Sequence, residues 1–381
     1  MFPQTSWSKA SVNPPLCESS ATRRKRLRLA LFMALIGGLA FGVARWMPSR
    51  TAGRVPVVAG KQEFANRRTT GNAEASMYPR LFFQKGVSFT AEYPDVYGSR
   101  GADRHLIELK KYGVNAIALV PYGFASERSV RICFNLGWEK DSGVKRLAGV
   151  AHRAGMRVLL KPQLFVRDGY PGSLEYSSAE ERKEWFQQYR LFLEHYATLA
   201  ARIHADLFCV GVELDKLSKY TSEWRDLIAR IRELYPGPLV YAANFGDEFE
   251  SVAFWDALDY IGMDEYYSLP DSLSTDEVVS KVAAVQARFQ KPVIFTEVGF
   301  PSMEAANRNP WDESPRKVSL ELQARCYEEI FRAFYEKPWF QGMYWWKVGT
   351  NGFGGPTDRS HTPWRKPAME VVRQWYQKEE R

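Results

Sequence analysis

Cysteine is scarce in this chain: four residues in 381, at positions 17, 133, 209 and 326. No two of them form a CxxC pair, which excludes zinc-knuckle and dithiol redox chemistry and leaves buried thiols as the default, with room for one disulfide. Histidine is also sparse. His105, His152, His195 and His204 fall in helical stretches and His361 in a late loop, and none makes the HExxH pair of a metalloprotease. No serine sits in a GxSxG elbow. No phosphate-cradling glycine turn follows the first strand candidate, where the chain reads Gly86-Val-Ser-Phe-Thr. The glycines of Asn351-Gly-Phe-Gly-Gly-Pro come late and open no helix, so they read as a flexible lip. Neither a metal nor a cofactor is expected.

Charge of one sign is missing from most of the chain as well. The formal net charge is +8, but residues 1–50 hold eight basic residues against the single Glu18. That stretch therefore accounts for +7 of the net +8, and everything after it carries a net +1. A near-neutral body has no basic stripe with which to displace counterions from a phosphate backbone, so nucleic acid is not an expected partner. The basic cluster Arg23–Arg28 leads into an uncharged apolar run from Leu29 to Ala44, which Trp46 and Met47 extend toward an interface. Residues 1–28 read as a basic tail and 29–47 as a transmembrane signal-anchor or a cleavable signal peptide. Residues 48–80 read as a linker rich in Arg, Gly, Ala, Ser and Thr. The expected partner of the N-terminal segment is a membrane, with the body outside the cytoplasm, either anchored there or secreted after cleavage.

What is present begins at residue 81 and runs to 381. Short apolar runs alternate with amphipathic stretches. The strand candidates are Gly86–Phe89, Ala116–Val120, Val158–Leu164, Leu207–Glu213, Leu239–Asn244, Tyr260–Tyr266, Val293–Val298 and Gly342–Trp346. Between two of them, Trp224, Leu227, Ile228, Ile231 and Leu234 recur at helical spacing. Another helix is expected from Asp103 to Tyr112, stopped by Gly113. Eight β-then-α units over this length predict an α/β fold of the (β/α)8 TIM-barrel type.

Barrel chemistry gathers at the C-terminal ends of the strands. Those ends read Lys161-Pro-Gln163, Gly211-Val-Glu213, Ala243-Asn244, Asp264-Glu-Tyr266-Tyr267, Thr296-Glu297 and Trp345-Trp346-Lys347. Glu213 and Glu297 each close an apolar strand that has no other reason to carry a charge. A carboxylate there is costly to desolvate unless it is paired or used. Glycoside hydrolysis needs two such groups, one to protonate the leaving oxygen and one to attack the anomeric carbon or activate water. A separation of about 5–5.5 Å gives retention and roughly 6.5–9.5 Å inversion, a choice that the sequence leaves open. The competing structural reading is a rim salt bridge with Lys161, Lys347 or Arg167. Lys161, Gln163 and Asn244 are the polar candidates for substrate binding. Tyr266, Trp345 and Trp346 are the aromatic candidates, since sugar C–H faces stack on such rings. Trp185 and Trp224, on helices, are expected to be core.

These residues resemble those of glycoside hydrolase family 113, β-mannanase-related barrels of the large clan whose acid/base follows strand four and whose nucleophile follows strand seven. The likeness is carried by Lys85-Gly-Val-Ser-Phe-Thr, Leu160-Lys-Pro-Gln, Val210-Gly-Val-Glu-Leu and Tyr241-Ala-Ala-Asn, and further by Phe254-Trp-Asp-Ala-Leu-Asp-Tyr-Ile-Gly-Met-Asp and Lys291-Pro-Val-Ile-Phe-Thr-Glu-Val-Gly-Phe. The resemblance implies a retaining, metal-free glycosidase on a β-linked polysaccharide or oligosaccharide, such as a β-1,4-mannan. It also implies Glu213 as acid/base, Glu297 as nucleophile, Tyr266 bonded to the nucleophile and Trp346 as the floor under the sugar. The chain departs from the family pattern at Val212, where Asn usually binds the 2-hydroxyl, at Gln163, where His is more common, and at Pro121-Tyr-Gly-Phe, where a Trp-containing motif is common. Two other functions fit the same residues: a barrel that binds sugar without cutting it, and a transglycosylase acting on exported glycan.

Overall fold

Eight parallel strands close on themselves in the computed structural model, which describes residues 82–378 apart from 137 and 168. They are β1 (Gln84–Thr90), β2 (Ala116–Leu119), β5 (Arg157–Leu160), β7 (Leu207–Val212), β8 (Leu239–Asn244), β9 (Tyr260–Glu265), β10 (Val293–Val298) and β11 (Phe340–Gly349). Their order round the barrel is β1-β11-β10-β9-β8-β7-β5-β2. Most are buried along their whole length, as apolar runs covered by helices outside and side chains inside must be. The lumen is filled by Ala116, Ala118, Leu159, Leu207, Cys209, Val240, Ile294 and Tyr344, so it is a packed core rather than a pore. Gly86 is needed for that filling: a Cβ there would lie 2.5 Å from the Tyr344 ring.

One expected strand divides in two. Val158–Leu164 is broken at Lys161-Pro162, because proline cannot donate to the ladder. Its second half is β6 (Gln163–Val166), which leaves the barrel and pairs with β3 (Tyr122–Ser126). With the antiparallel β4 (Ser129–Cys133), these make a three-stranded sheet, a structure that the sequence reading did not include.

The outer layer is held by aromatic packing. The helix Ala179–Ile203 is capped by Ser178, whose hydroxyl accepts from the Glu181 amide at 3.1 Å, and it buries Trp185 stacked on Tyr189. Trp224 on Thr221–Leu234 is fully buried and stacks on Phe254. Both tryptophans are core, and truncating either to alanine costs roughly 3–5 kcal/mol by the usual cavity penalty. The helix expected over 103–112 runs Arg100–Leu109 with a short 3-10 turn, Lys110–Tyr112, and stops at Gly113 with φ 79°. Cys209 and Cys326 are buried free thiols, while Cys133 is disulfide-bonded.

The basic tail, the apolar run 29–47 and the linker 48–80 lie outside the described residues. Among the described residues no helix is long and apolar enough to cross a membrane.

Two further carboxyls, Glu265 and Glu139, are buried besides Glu213 and Glu297. Glu265, at the end of β9, is fully buried; Oε1 accepts from the Tyr267 amide at 3.2 Å and Oε2 has no partner among the described residues. Glu139 is buried, and its Oε1 has no partner among the described residues. Burial pushes each up to about 8. Because each folded value exceeds the unfolded one, folding takes up protons, and stability falls as pH rises from the ordinary carboxyl range through about 8. Glu265→Gln is expected to raise Tm by roughly 5 °C at about pH 8.5, a gain that vanishes near about pH 5. Parallel melting curves for the two proteins across that pH range would overturn the assignment.

Candidate active site

Glu297 is brought to the barrel mouth by a slip in register. The β10–β9 pairing shifts between Phe295 and Glu297, and such a bulge re-aims a side chain. Glu297 is buried, and both its oxygens accept: Oε2 from the Tyr266 hydroxyl at 2.8 Å and Oε1 from the Lys161 ammonium. Lys161 also reaches Asp264 Oδ2 at 3.1 Å, and Asp264 Oδ1 accepts from the Thr296 hydroxyl at 2.6 Å. One buried cation thus serves two buried acids. Burial pulls the Lys161 ammonium down, but Asp264 and Glu297 more than offset this and hold it above its ordinary value. Burial and the neighbouring Glu297 push Asp264 up to about 7, against the pull of Lys161.

Glu213 follows β7 with φ 51°, a left-handed conformation that a residue with a Cβ adopts at a cost and that clusters at functional sites. Its amide donates to the Ala242 carbonyl at 2.8 Å. Burial raises its carboxyl well above the usual range, and Asp264 and Glu297 add to the effect while Lys161 opposes it. Beside it the Tyr241 hydroxyl accepts from the Leu214 amide at 3.1 Å and donates to Glu248 Oε1 at 2.5 Å. Glu248 Oε2 in turn accepts from the Asn244 amide at 2.7 Å. Asn244 Nδ2 lies 3.4 Å from Asp215 Oδ2, which also accepts from the Tyr170 hydroxyl at 3.3 Å. The turn after β7 is therefore braced from β8, which fixes the direction of Glu213.

One cleft joins Glu213 and Glu297, and Gln163, Asn244, Tyr266 and Trp346 line it with them. Two of the expected substrate-binding residues do not. Lys161 is fully buried beneath the carboxylates and touches them instead of the cleft. Trp345 is also fully buried and stacks on Tyr327 of the helix Leu320–Phe334, with centroids 3.7 Å apart. Successive residues of a strand point to opposite faces, so Trp345 and Trp346 cannot both face the lumen. Trp346 does, and its peptide bond to Lys347 is cis. The expected salt bridge is present for Glu297, which pairs with Lys161, whereas Lys347 pairs with Glu92 at 3.1 Å instead.

The sequence reading missed several lining residues. Tyr170, Phe245, Trp311 and His361 all face the cleft, as does Tyr122 of the Pro121-Tyr-Gly-Phe segment already singled out in the sequence. Tyr122 and Phe245 each follow a strand candidate closely and were within reach of the strand-end rule. Trp311 and His361 lie in long connections that carry no periodic signal.

A closed parallel barrel with two glutamates converging on one cleft from the ends of its fourth and seventh strands places the protein among barrel glycosidases. The chain belongs to glycoside hydrolase family 113, whose family model matches residues 88–354, and it is a glycoside hydrolase. The family-113 β-mannanase of Alicyclobacillus acidocaldarius, solved in complex with ManMIm, is 30% identical. The match covers 78% of this chain and 98% of that one, with a TM-score of 0.72. Two structures of family-113 β-1,4-mannanase, one of them a complex, are each 24% identical over 78% of this chain and 100% of theirs, with TM-scores of 0.73 and 0.71, a likeness of fold. No curated protein matches the chain.

Proposed function

We propose that the protein cleaves a β-linked, mannan-like glycan with retention of configuration, Glu213 serving as acid/base and Glu297 as nucleophile. The observation that carries this reading is the unequal setting of the two carboxyls. Glu297 accepts on both oxygens from Tyr266 and Lys161, the arrangement of a carboxylate fixed to attack. Glu213 is pushed up by burial and by its acidic neighbours, the condition for a carboxylic acid that donates a proton near neutrality. In the first step a Glu297 oxygen bonds to the anomeric carbon, the glycosidic C–O bond breaks and the Glu213 proton goes to the leaving oxygen. In the second, water attacks that carbon, its proton returns to Glu213 and Glu297 is released.

Trp346, facing the lumen beside Glu297 and Tyr266, is the floor under the reacting ring. Val212 is buried and offers no hydrogen bond to a sugar hydroxyl. Gln163, whose Oε1 has no partner among the described residues, and Asn244 are the polar groups that read the sugar in this cleft.

The test is product stereochemistry. The full chain, incubated with β-linked manno-, gluco-, galacto- and aminosugar oligosaccharides, is expected to release a β-anomer first from the manno series, seen by NMR before mutarotation. An α-anomer appearing first would make the reaction inverting. Binding without cleavage throughout the panel would make the barrel a carbohydrate-binding module.

A further inference from the structure

The connection from Gly299 to Ser319, between β10 and the helix Leu320–Phe334, is longer than a barrel loop needs to be. Loops beyond about 12–15 residues in compact domains usually serve a site. This one is tied down along its length. Ser302 donates to the Asp358 carbonyl at 2.7 Å and accepts from the buried Lys366 ammonium at 2.8 Å. Asn307 and Leu269 exchange hydrogen bonds, Asn307 Nδ2 to the Leu269 carbonyl at 3.0 Å and the Leu269 amide to the Asn307 carbonyl at 2.7 Å.

Around Trp311 the ties converge on one side chain. His361 is buried, with Nε2 2.7 Å from the Pro310 carbonyl and Nδ1 2.8 Å from Glu313 Oε1. A carbonyl oxygen cannot donate, so Nε2 carries a hydrogen. The imidazole thus grips the chain immediately before Trp311 and two residues after it. Its ring also meets Tyr266, the partner of Glu297, edge-on at 6.0 Å.

This grip presents Trp311 to the cleft. Its ring stacks on Phe245 with centroids 5.3 Å apart and planes at 26°, and Phe245 rests edge-on against Tyr267 at 5.4 Å. Trp311 and Phe245 are only half-buried, and both line the cleft. A purely structural aromatic pair is normally covered, as Trp185 and Trp224 are. Phe245 follows Asn244 at the end of β8, the strand paired with the one that carries Glu213. The pair therefore stands on the Glu213 side of the cleft, whereas Trp346 belongs to β11.

We propose that Trp311 and Phe245 form the stacking platform for the sugar beyond the scissile bond, and that His361 is the positioning residue that holds Trp311 in place. The proposal rests on Glu213 being the acid/base. The group that protonates the leaving oxygen must touch it, so the departing sugar lies past Glu213, where the platform stands. The same surface receives an incoming sugar when its hydroxyl, rather than water, attacks the glycosyl-enzyme. In that step the acceptor's O–H proton goes to Glu213, a C–O bond forms at the anomeric carbon and the Glu297 ester bond breaks. The platform thus selects β-linked oligosaccharide, as leaving group and as acceptor, over small leaving groups and water.

The experiment compares two substrates of the full chain: β-1,4-mannotetraose and β-mannobiosyl fluoride, which has no sugar beyond the scissile bond. Trp311→Ala and Phe245→Ala are expected to lower the ratio of kcat/KM on the tetraose to kcat/KM on the fluoride by roughly three- to tenfold, the range of one aromatic stacking contact. Transfer of the glycosyl group from the fluoride to added mannobiose should fall to the same extent relative to hydrolysis. His361→Ala should lower the ratio likewise, and the Trp311→Ala/His361→Ala double variant should be no worse than Trp311→Ala alone, because both act through one ring. An unchanged ratio, equal losses on both substrates, or additive losses in the double variant would overturn the proposal. A parent protein inactive on both substrates would overturn the mannan-like reading beneath it, and the platform with it.

Discussion

Glu297→Gln is expected to lower kcat by roughly 10⁴- to 10⁶-fold, the scale on which a nucleophile acts. Glu213→Gln is expected to lose roughly 10²- to 10⁴-fold, the scale of general acid catalysis. The two losses differ in kind as well as in size. Without Glu213, a substrate whose leaving group needs no proton still reacts, so turnover of the mannobiosyl fluoride survives better than turnover of the tetraose. Without Glu297, both fail. The pH profile separates the residues further: in the proposed first step Glu213 must be protonated, its carboxyl is pushed up, and the basic limb of kcat/KM should disappear when it becomes glutamine. Neither variant should unfold. Glu297 is one of the groups that push Asp264 up, so its neutralisation relieves a repulsion between buried acids that Lys161 and the Thr296 hydroxyl offset. Small azide ions supply the last check. In Glu297→Gly, azide takes the place of the nucleophile and yields the inverted glycosyl azide; in Glu213→Gly, it intercepts the glycosyl-enzyme and yields the retained one. A loss of less than about tenfold in either glutamine variant, or azide products of the opposite anomers, would overturn the assignment of roles.

The barrel was legible because both of its periods are strong. The apolar runs that became β7, β8, β9 and β10 are buried on both faces, and their ends were located to within a residue. Once the strands were placed, the strand-end rule alone put Glu213, Glu297, Asn244 and Tyr266 in one mouth. It failed where a residue's face mattered more than its position in the chain. Trp345 and Trp346 are adjacent, and only the pleat decides which one meets the lumen. Lys161 stands at a strand end, but its long stem carries the charge under the carboxylates and out of the cleft. Pro162 gave the local signal that Val158–Leu164 was not one strand, yet the three-stranded sheet built from its second half is a tertiary pairing with no local pattern. Trp311 and His361 are separated by a helix and a barrel strand, and only the fold brings the imidazole to the carbonyl before Trp311.

The second large effect is expected at Lys161. It is the cation against which both Asp264 and Glu297 rest, and all three side chains are almost wholly shielded from water. Removing one partner of a buried pair typically costs about 3–5 kcal/mol, because the charge left behind has neither solvent nor counterion. Lys161→Met keeps most of the volume and none of the charge, so Tm is expected to fall by roughly 10 °C near neutral pH. The pH dependence identifies the cause. Asp264 is already pushed up to about 7 while Lys161 pulls it down; without that pull its carboxyl rises further. A carboxyl whose folded value exceeds its unfolded one takes up a proton on folding, so its contribution is retained at low pH and lost as pH rises through the folded value. The Tm deficit of Lys161→Met should accordingly be small near about pH 5 and grow toward about pH 8. Adding Asp264→Asn, which removes one of the two stranded acids, should recover part of the loss at the higher pH and little at the lower. Turnover should not follow that recovery: Glu297 loses the donor on Oε1 in both variants, keeps only the Tyr266 hydroxyl, and is no longer held from beneath. A deficit independent of pH would mean that Lys161 matters for its packing, and full activity in the double variant would mean that its contact with Glu297 has no part in catalysis.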